Sequence, residues 1–207
     1  METNRDANIR FFDKWSFLYG FDPVTLWLRW VQSKVLKQIS LGDKMSVLDV
    51  GCGPGHGLSF FIKRQIKNLA GIDLSPKMIS RARKRLGSKI ILKVASVDKI
   101  PFPKNTFDVV TNTEAFHHFP APQRAVNEMS RVLKPNGKLY LADINFFSKT
   151  IHWLFKRLEP GHVKIYGKQE FAKFFANAGL KVVVQKRVGL FVILTVGQKV
   201  KDKSYNL

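Results

Sequence analysis

Short apolar runs alternate along this chain with stretches whose apolar positions recur every three or four residues. The runs Val47 to Val50, Leu69 to Leu74, Lys89 to Ala95, Thr106 to Asn112 and Lys138 to Asp143 read as strands. Between them lie helices. One begins near Leu58, one runs from Pro76 to Arg85 with Ser75 as its cap, and one runs from Pro120 to Lys134 with Ala125, Val126, Met129, Val132 and Leu133 on one face. Pro135-Asn-Gly137 is expected to stop that helix, with Asn136 tolerating a left-handed conformation. A last helix, Gln169 to Ala178, ends at Gly179, and two closing strands follow, Leu180 to Arg187 and Leu190 to Val196. The tail from Lys199 to Leu207 is expected to fray. Before the first strand, residues 9 to 20 and 24 to 39 predict two helices broken at Asp22-Pro23. In the second, Val24, Trp27, Leu28, Val31, Val35 and Ile39 form one stripe, with Leu26 and Trp30 off it. The chain thus divides into an N-terminal helical cap, residues 1–45, and a sheet-bearing domain, residues 46–207.

The stretch Val47-Leu-Asp-Val-Gly-Cys-Gly-Pro-Gly-His-Gly57 joins the first strand to a helix through glycine at every second position. Glycines there let a ligand approach the backbone, and the free amides of the following helix point back at it. The dinucleotide fingerprint requires glycine at the first, third and sixth positions, and the sixth from Gly51 is His56, so that match fails. On these residues alone the stretch is either a loop for a nucleotide-like cofactor or a tight turn without a ligand. Asp73, at the end of the second strand and 22 residues beyond Gly51, is at the distance where a carboxylate reaches ribose hydroxyls.

Asp49-x-Gly51-x-Gly53-x-Gly55 resembles the first motif of the class I S-adenosylmethionine (SAM) dependent methyltransferases, and Gly71-Ile-Asp-Leu-Ser-Pro-Lys-Met78 resembles their second. The resemblance implies an α/β fold, a Rossmann-like seven-stranded, mostly parallel sheet with helices on both faces and an antiparallel last strand. It implies SAM as cofactor and S-adenosylhomocysteine as product. Asp49, Gly51, Gly53 and Gly55 would line the methionine part, Asp73 would hold the ribose, and Leu74 and Met78 would flank the adenine. Asp98, with Ser96 and Val97 before it, matches an acid that bonds the adenine amino group; on its own it also suits a turn. Asn112 ends the fourth strand, where ligand sites open in such sheets.

Asn112-Thr-Glu-Ala-Phe-His-His-Phe119 resembles the His-His-Phe stretch of members acting on small molecules and lipids, and lacks the Asn/Asp-Pro-Pro-aromatic motif of amino-group methyltransferases. Of the adjacent histidines one is expected inward and one outward, with His118 as the candidate base. Gly161-His-Val-Lys-Ile-Tyr166 resembles a substrate-facing stretch, which adds His162 and Tyr166 as catalytic candidates, while His152, Trp153 and Phe155 either line a pocket or pack a short helix. Tyr19 matches an aromatic residue near the cofactor in quinone methyltransferases, and the ubiquinone and menaquinone C-methyltransferase group is the nearest in pattern. No metal site is expected, since His56, His152 and His162 have no ligand spacing to the pair.

Composition narrows the partners. A single cysteine, Cys52, excludes internal disulfides and cysteine-cluster metal sites and suits a reducing compartment. The N-terminus lacks an apolar signal core and Leu190 to Val196 is too short to span a bilayer, so a cytoplasmic protein is expected. The net charge of +20 is concentrated in 51–100 and 151–207. Together with the aromatic N-terminal helices it suits a small-molecule or lipid-like methyl acceptor and peripheral contact with an anionic membrane. An RNA acceptor is the second expectation, weakened by the want of a base-stacking motif, and a SAM-binding protein without catalysis is the third.

Overall fold

The computed structural model describes residues 9–10, 12–13, 23–42, 44–146, 150, 153, 157 and 162–200. In chain order the elements are α1 (Pro23–Leu36), β1 (Ser46–Val50), α2 (His56–Lys63), β2 (Asn68–Asp73), α3 (Pro76–Leu86), β3 (Ile91–Val94), β4 (Phe107–Thr113), α4 (Pro122–Val132), β5 (Leu133–Ile144), α5 (Lys168–Asn177), β6 (Leu180–Val188) and β7 (Val192–Lys199). The strands form one sheet in the order β3-β2-β1-β4-β5-β7-β6. β1 to β5 pair in parallel, and β7 runs antiparallel to both of its neighbours. The chain winds outward from β1 to β3, then returns to lay β4 on the other side of β1, so the strand order reverses between β1 and β4. At such a reversal the connections leave in opposite directions and a crevice opens at the carboxyl ends of the strands.

Each strand feeds two cores, because successive side chains point to opposite faces. Val47 and Val109 join α1, α2 and α3 residues such as Val31, Val35, Phe61 and Ile79 on one face. Leu48, Val50, Val110 and Leu141 join Val126, Met129, Phe171 and Phe175 on the other. α1 therefore shares the core of the sheet: Val31, Val35 and Leu36, with Ile39 just beyond the helix, are buried, while Leu26 and Trp30, off the stripe, are each half exposed. Of the helix expected over 9–20, Ile9, Arg10, Phe12 and Asp13 are helical and the rest lies outside the described residues.

Two sequence expectations are corrected. The helix expected to reach Lys134 ends at Val132, and β5 starts at Leu133 rather than Lys138. Leu133 is drawn into the core and pairs with Phe107, and the chain then bulges before Lys138 pairs with Val109. Asn136 sits in that bulge at φ 65, and Gly137 is needed because a Cβ there would lie 2.9 Å from the Lys134 carbonyl. The tail expected to fray from Lys199 is anchored at its start: the Lys199 ammonium donates to the carbonyls of Leu133 at 2.8 Å and Ser130 at 2.9 Å.

Gly197 on β7 lets α5 lie directly on the sheet, since a Cβ would meet the Phe175 ring, with Cε1 at 2.7 Å, and Leu180 Cβ at 3.1 Å. Phe175 is fully buried and cannot swing aside. Gly197→Ala is therefore expected to cost about 1–3 kcal/mol of stability by overpacking. A denaturant midpoint equal to that of the parent would show that α5 slides to accommodate the methyl group.

Candidate functional site

The glycine loop leaves the buried strand β1 at the crevice and returns as α2. Gly51 is left-handed at φ 69, and a Cβ on it would lie 2.8 Å from Ala115 Cβ and 3.6 Å from Asn112 Nδ2, so the loop is in contact with the end of β4. Gly51 and Cys52 both donate their amides to the Ile72 carbonyl, at 2.9 and 3.0 Å, which ties the loop to β2. Gly53 and Gly55 are left-handed as well, at φ 50 and 84. Cys52 is buried beneath the loop, and burial followed by the charges of Asp73 and Asp49 pushes its thiol upward, away from reactivity.

Acidic and amide side chains converge on this loop from three strands. Asp49 is buried, and its Oδ1 accepts the Thr111 hydroxyl at 2.8 Å. Its Oδ2 has no hydrogen-bond partner and faces Gly57, where a Cβ would come within 2.7 Å. Burial is the main reason its carboxyl is pushed up to about 7, with Thr111 opposing and Asp73 adding to the rise. Asp73 accepts the Gly53 amide on Oδ2 and the Ser75 amide on Oδ1, both at 2.8 Å. Burial lifts it to about 6 against those amides. The Ser75 hydroxyl caps α3 by accepting the Met78 amide and bonds Asp13 of the N-terminal segment. Asn112 donates to the Val50 carbonyl at 2.8 Å and keeps a buried, unpartnered Oδ1. Asp98, in a short 3-10 turn over Val97–Lys99, keeps a buried Oδ1 without a partner, while Oδ2 is 3.3 Å from the Ser96 hydroxyl. Val97 is buried, Leu74 is half-buried and Met78 is buried at the first turn of α3.

These atoms fit the cofactor that the sequence motifs imply. Asp49, Asn112 and Asp98 each offer a buried acceptor with an unmade hydrogen bond around a cradle of left-handed glycines. Such groups are costly unless a ligand or water supplies the donors.

Beside the loop, a second 3-10 turn, Phe116–His118, follows β4. The expectation that one histidine faces inward and the other outward is corrected: His117 and His118 are exposed by only 3% and 6%. The turn is neither helix nor strand, and it is covered from both sides. The His118 ring meets Phe12 edge-on at 4.8 Å, and the His117 ring lies 5.2 Å from that of His162 and 4.1 Å from that of His118. The segment after His162 is bound there, since the Val163 and Lys164 amides donate to the His117 carbonyl at 2.9 and 3.3 Å. Tyr166 is buried among Phe116, Phe171 and Phe174 rather than lining the crevice, and burial, then Glu170 and Asp143, raise its phenol. Tyr19, His152 and Phe155 lie outside the described residues, and Trp153 is exposed. Among the described residues no group of three or more metal-ligating side chains forms a metal site.

Several residues were not foreseen. Asp143 of β5 is fully buried and its Oδ1 lies 2.7 Å from His117 Nδ1. Glu114, left-handed at φ 58, buries Oε1 without a partner, and burial together with Asp143 raises its carboxyl well above the usual range, with His117 opposing. Gln32 of α1 donates to the Thr113 hydroxyl at 2.7 Å, joining α1 to the end of β4. The available signal was an acid inside the apolar run Leu139 to Ile144.

The model of a methyltransferase domain family matches residues 48–141. A 2-methyl-6-phytyl-1,4-hydroquinone methyltransferase of Synechocystis sp. is 38% identical over 48% of this chain and 32% of its own length. The chain spans between about a third and just over half of the curated relatives it matches first. A SAM dependent methyltransferase from Aquifex aeolicus superposes with a TM-score of 0.70 at 27% identity, covering 86% of this chain and 94% of that one. A Haloferax volcanii protein, solved in complex with the Trm112 methyltransferase activator, superposes with a TM-score of 0.81 at 24% identity over 91% and 97% of the two chains, which shows a common fold.

Asp49 also makes a prediction about the free protein. Its folded value, about 7, lies above the ordinary value of 3.8, so the stability it contributes is present at low pH and is lost as pH rises through that window. Asp49→Asn removes this loss. The variant is expected to gain on the parent in urea midpoint between about pH 4 and about pH 7, and a pH-independent difference would mean that Asp49 titrates in the folded protein as it does unfolded.

Proposed function

We propose that the chain is a class I SAM-dependent methyltransferase that transfers a methyl group from SAM to a small-molecule or lipid-like acceptor, on carbon or oxygen; the match of residues 48–141 to a methyltransferase domain family and the likeness to curated and solved methyltransferases support this reading. The observation that carries the proposal is the cradle of Asp49, Gly51 and Asp73 at the reversal between β1 and β4, bordered by unpartnered acceptors on Asn112 and Asp98. In this reading Asp73 takes the ribose hydroxyls, Asp98 with Ser96 and Val97 takes the adenine amino group, and Leu74 and Met78 border the ring. Bound SAM supplies a methyl carbon on a positively charged sulfur, which leaves as a neutral thioether when the acceptor attacks. The chain's own part is alignment, which supplies about 7–11 kcal/mol in favourable cases, and removal of the acceptor's proton by a histidine of the cluster that His117, His118 and His162 form beside the cradle. Residues 1–45 would cap the site, Tyr19 among them; the bonds from Asp13 to Ser75 and from Gln32 to Thr113 support this.

A lipid-like acceptor accords with the apolar surface of α1. Leu26 and Trp30 are each 50% exposed and Leu190, at the β6–β7 turn, 61%. A Cβ on the neighbouring Gly189 would lie 3.5 Å from the Trp30 ring, so these residues form one patch, and Lys34 stands 5.1 Å from the Trp30 centroid. Exposed aromatic and apolar groups next to lysine suit the surface of an anionic bilayer. No helix among the described residues is long and apolar enough to cross a membrane. The RNA reading loses support because Arg83 and Arg85, in the most basic segment, bond the carbonyls of Leu92 and Pro54.

Two measurements test these readings. Calorimetry is expected to give about micromolar SAM binding that Asp73→Ala abolishes. Binding should weaken as pH falls below about 6, where the Asp73 carboxyl of the free protein gains its proton. A folded protein that binds neither SAM nor S-adenosylhomocysteine would overturn the methyltransferase reading, whereas binding without turnover on any lipid, metabolite or RNA fraction would favour the non-catalytic one. For the membrane, the protein should sediment with vesicles of phosphatidylcholine and phosphatidylglycerol but not of phosphatidylcholine alone, and Trp30→Ala should reduce this by about threefold or more. Equal sedimentation with both vesicles, or no effect of the variant, would remove α1 from the contact.

A further inference from the structure

We propose that His117 is the base that removes the acceptor's proton and that Asp143 is its positioning residue, an assignment that rests on the methyltransferase reading above. The contact between them, 2.7 Å from Nδ1 to Oδ1, is made with both side chains buried. Asp143 Oδ1 also accepts the Ile144 amide at 2.9 Å, so it is an acceptor and Nδ1 is the donor. A proton held on Nδ1 puts the lone pair of a neutral ring on Nε2, which is the arrangement a general base requires. His117 would then take the acceptor's proton on Nε2 as the O–H or acidic C–H bond breaks. The electron pair stays with the acceptor and forms its new bond to carbon, and the proton leaves His117 to water after the product departs.

The surroundings of the pair suit that role. Its turn follows Ala115, the residue against which the Gly51 loop packs, so the pair borders the cofactor cradle. Among the described residues, the groups near the ring include Asp143 from β5, Glu114 just after β4, His118 from the same turn and His162 from the segment before α5. Burial, and then the charge of Asp143, raise the Glu114 carboxyl well above the usual range, with His117 opposing. Glu114 is also held in a left-handed conformation that a glutamate rarely adopts, which is common where a site determines the backbone.

The pair can be tested without a known acceptor. In full-length protein carrying nitrogen-15 histidine, His117→Gln identifies the His117 signals by their loss. The expected neutral ring has its proton on Nδ1 and its lone pair on Nε2, and Asp143→Asn should shift that balance while SAM binding by calorimetry stays within about threefold. A purely structural pair would pass that test, so the deciding measurement compares complexes. The sulfur of SAM is cationic and that of S-adenosylhomocysteine is neutral, so a ring within about 10 Å of it should titrate lower in the SAM complex by about half a pH unit or more. Equal midpoints in two saturated complexes, or a lone pair on Nδ1, would overturn the assignment and leave the methyltransferase reading standing. Failure of SAM to bind would instead remove that reading, and the base with it.

Discussion

An acid held out of water at the end of the central strand is the constraint from which the site is built. Asp49 cannot leave the fold, because β1 is paired on both sides and covered on both faces. Its neighbours are accordingly chosen for it. Thr111 comes from the adjacent strand at the register position opposite Asp49 and supplies one hydroxyl donor. Gly57, in the first turn of α2, has no side chain because one would strike the second carboxylate oxygen. That last requirement explains why the glycines run past the loop and into the helix. Asp73 is held differently, by two backbone amides, so it is already oriented before a ligand arrives.

The parts of this arrangement that were legible in the sequence are those made within one short stretch of chain. The strand, glycine loop and helix around Asp49, and the acid ending β2, carry their geometry in local spacing, and the mostly parallel seven-stranded sheet was implied by the family resemblance. The Asp143–His117 pair was not legible, because it joins strand β5 to a turn 26 residues earlier through a placement that only the folded sheet sets. The placing of both histidines inside was missed for a related reason. Alternation and helical periodicity each put adjacent residues on different faces, but a 3-10 turn roofed by Phe12 on one side and the His162 segment on the other has no outer face. The early start of β5 was hidden because Pro135, Asn136 and Gly137 read as a helix stop, whereas they form a bulge within a strand already begun at Leu133.

Charge was the least informative part of the sequence, since a count does not separate solvated cations from those in use. Arg131 bonds Glu128 and the carbonyls of Ile100 and Phe102, Lys134 bonds Asp108, and Lys199 closes the carbonyls at the junction of α4 and β5. These cations satisfy buried or half-buried acceptors at connections where backbone bonding lapses. The net charge of +20 therefore overstates what remains for a partner.

The alternation along β4 divides the work of the site. Val109, Thr111 and Thr113 point to the face covered by α1 and α2, where Thr111 meets Asp49 and Thr113 meets Gln32. Val110 and Asn112 point to the face of α4 and α5, where Leu139, Leu141 and, by the same period, Asp143 also lie. A strand that simply continued would keep the two sets apart. Glu114 ends it in a left-handed conformation, still tied to β5 through its amide and the Ala142 carbonyl at 2.8 Å. The chain can then turn at once, packing Ala115 on the glycine loop and bringing His117 to Asp143 four residues beyond the strand. The strained residue is thus the hinge between the glycine loop on one side of the sheet edge and the buried Asp143–His117 pair on the other.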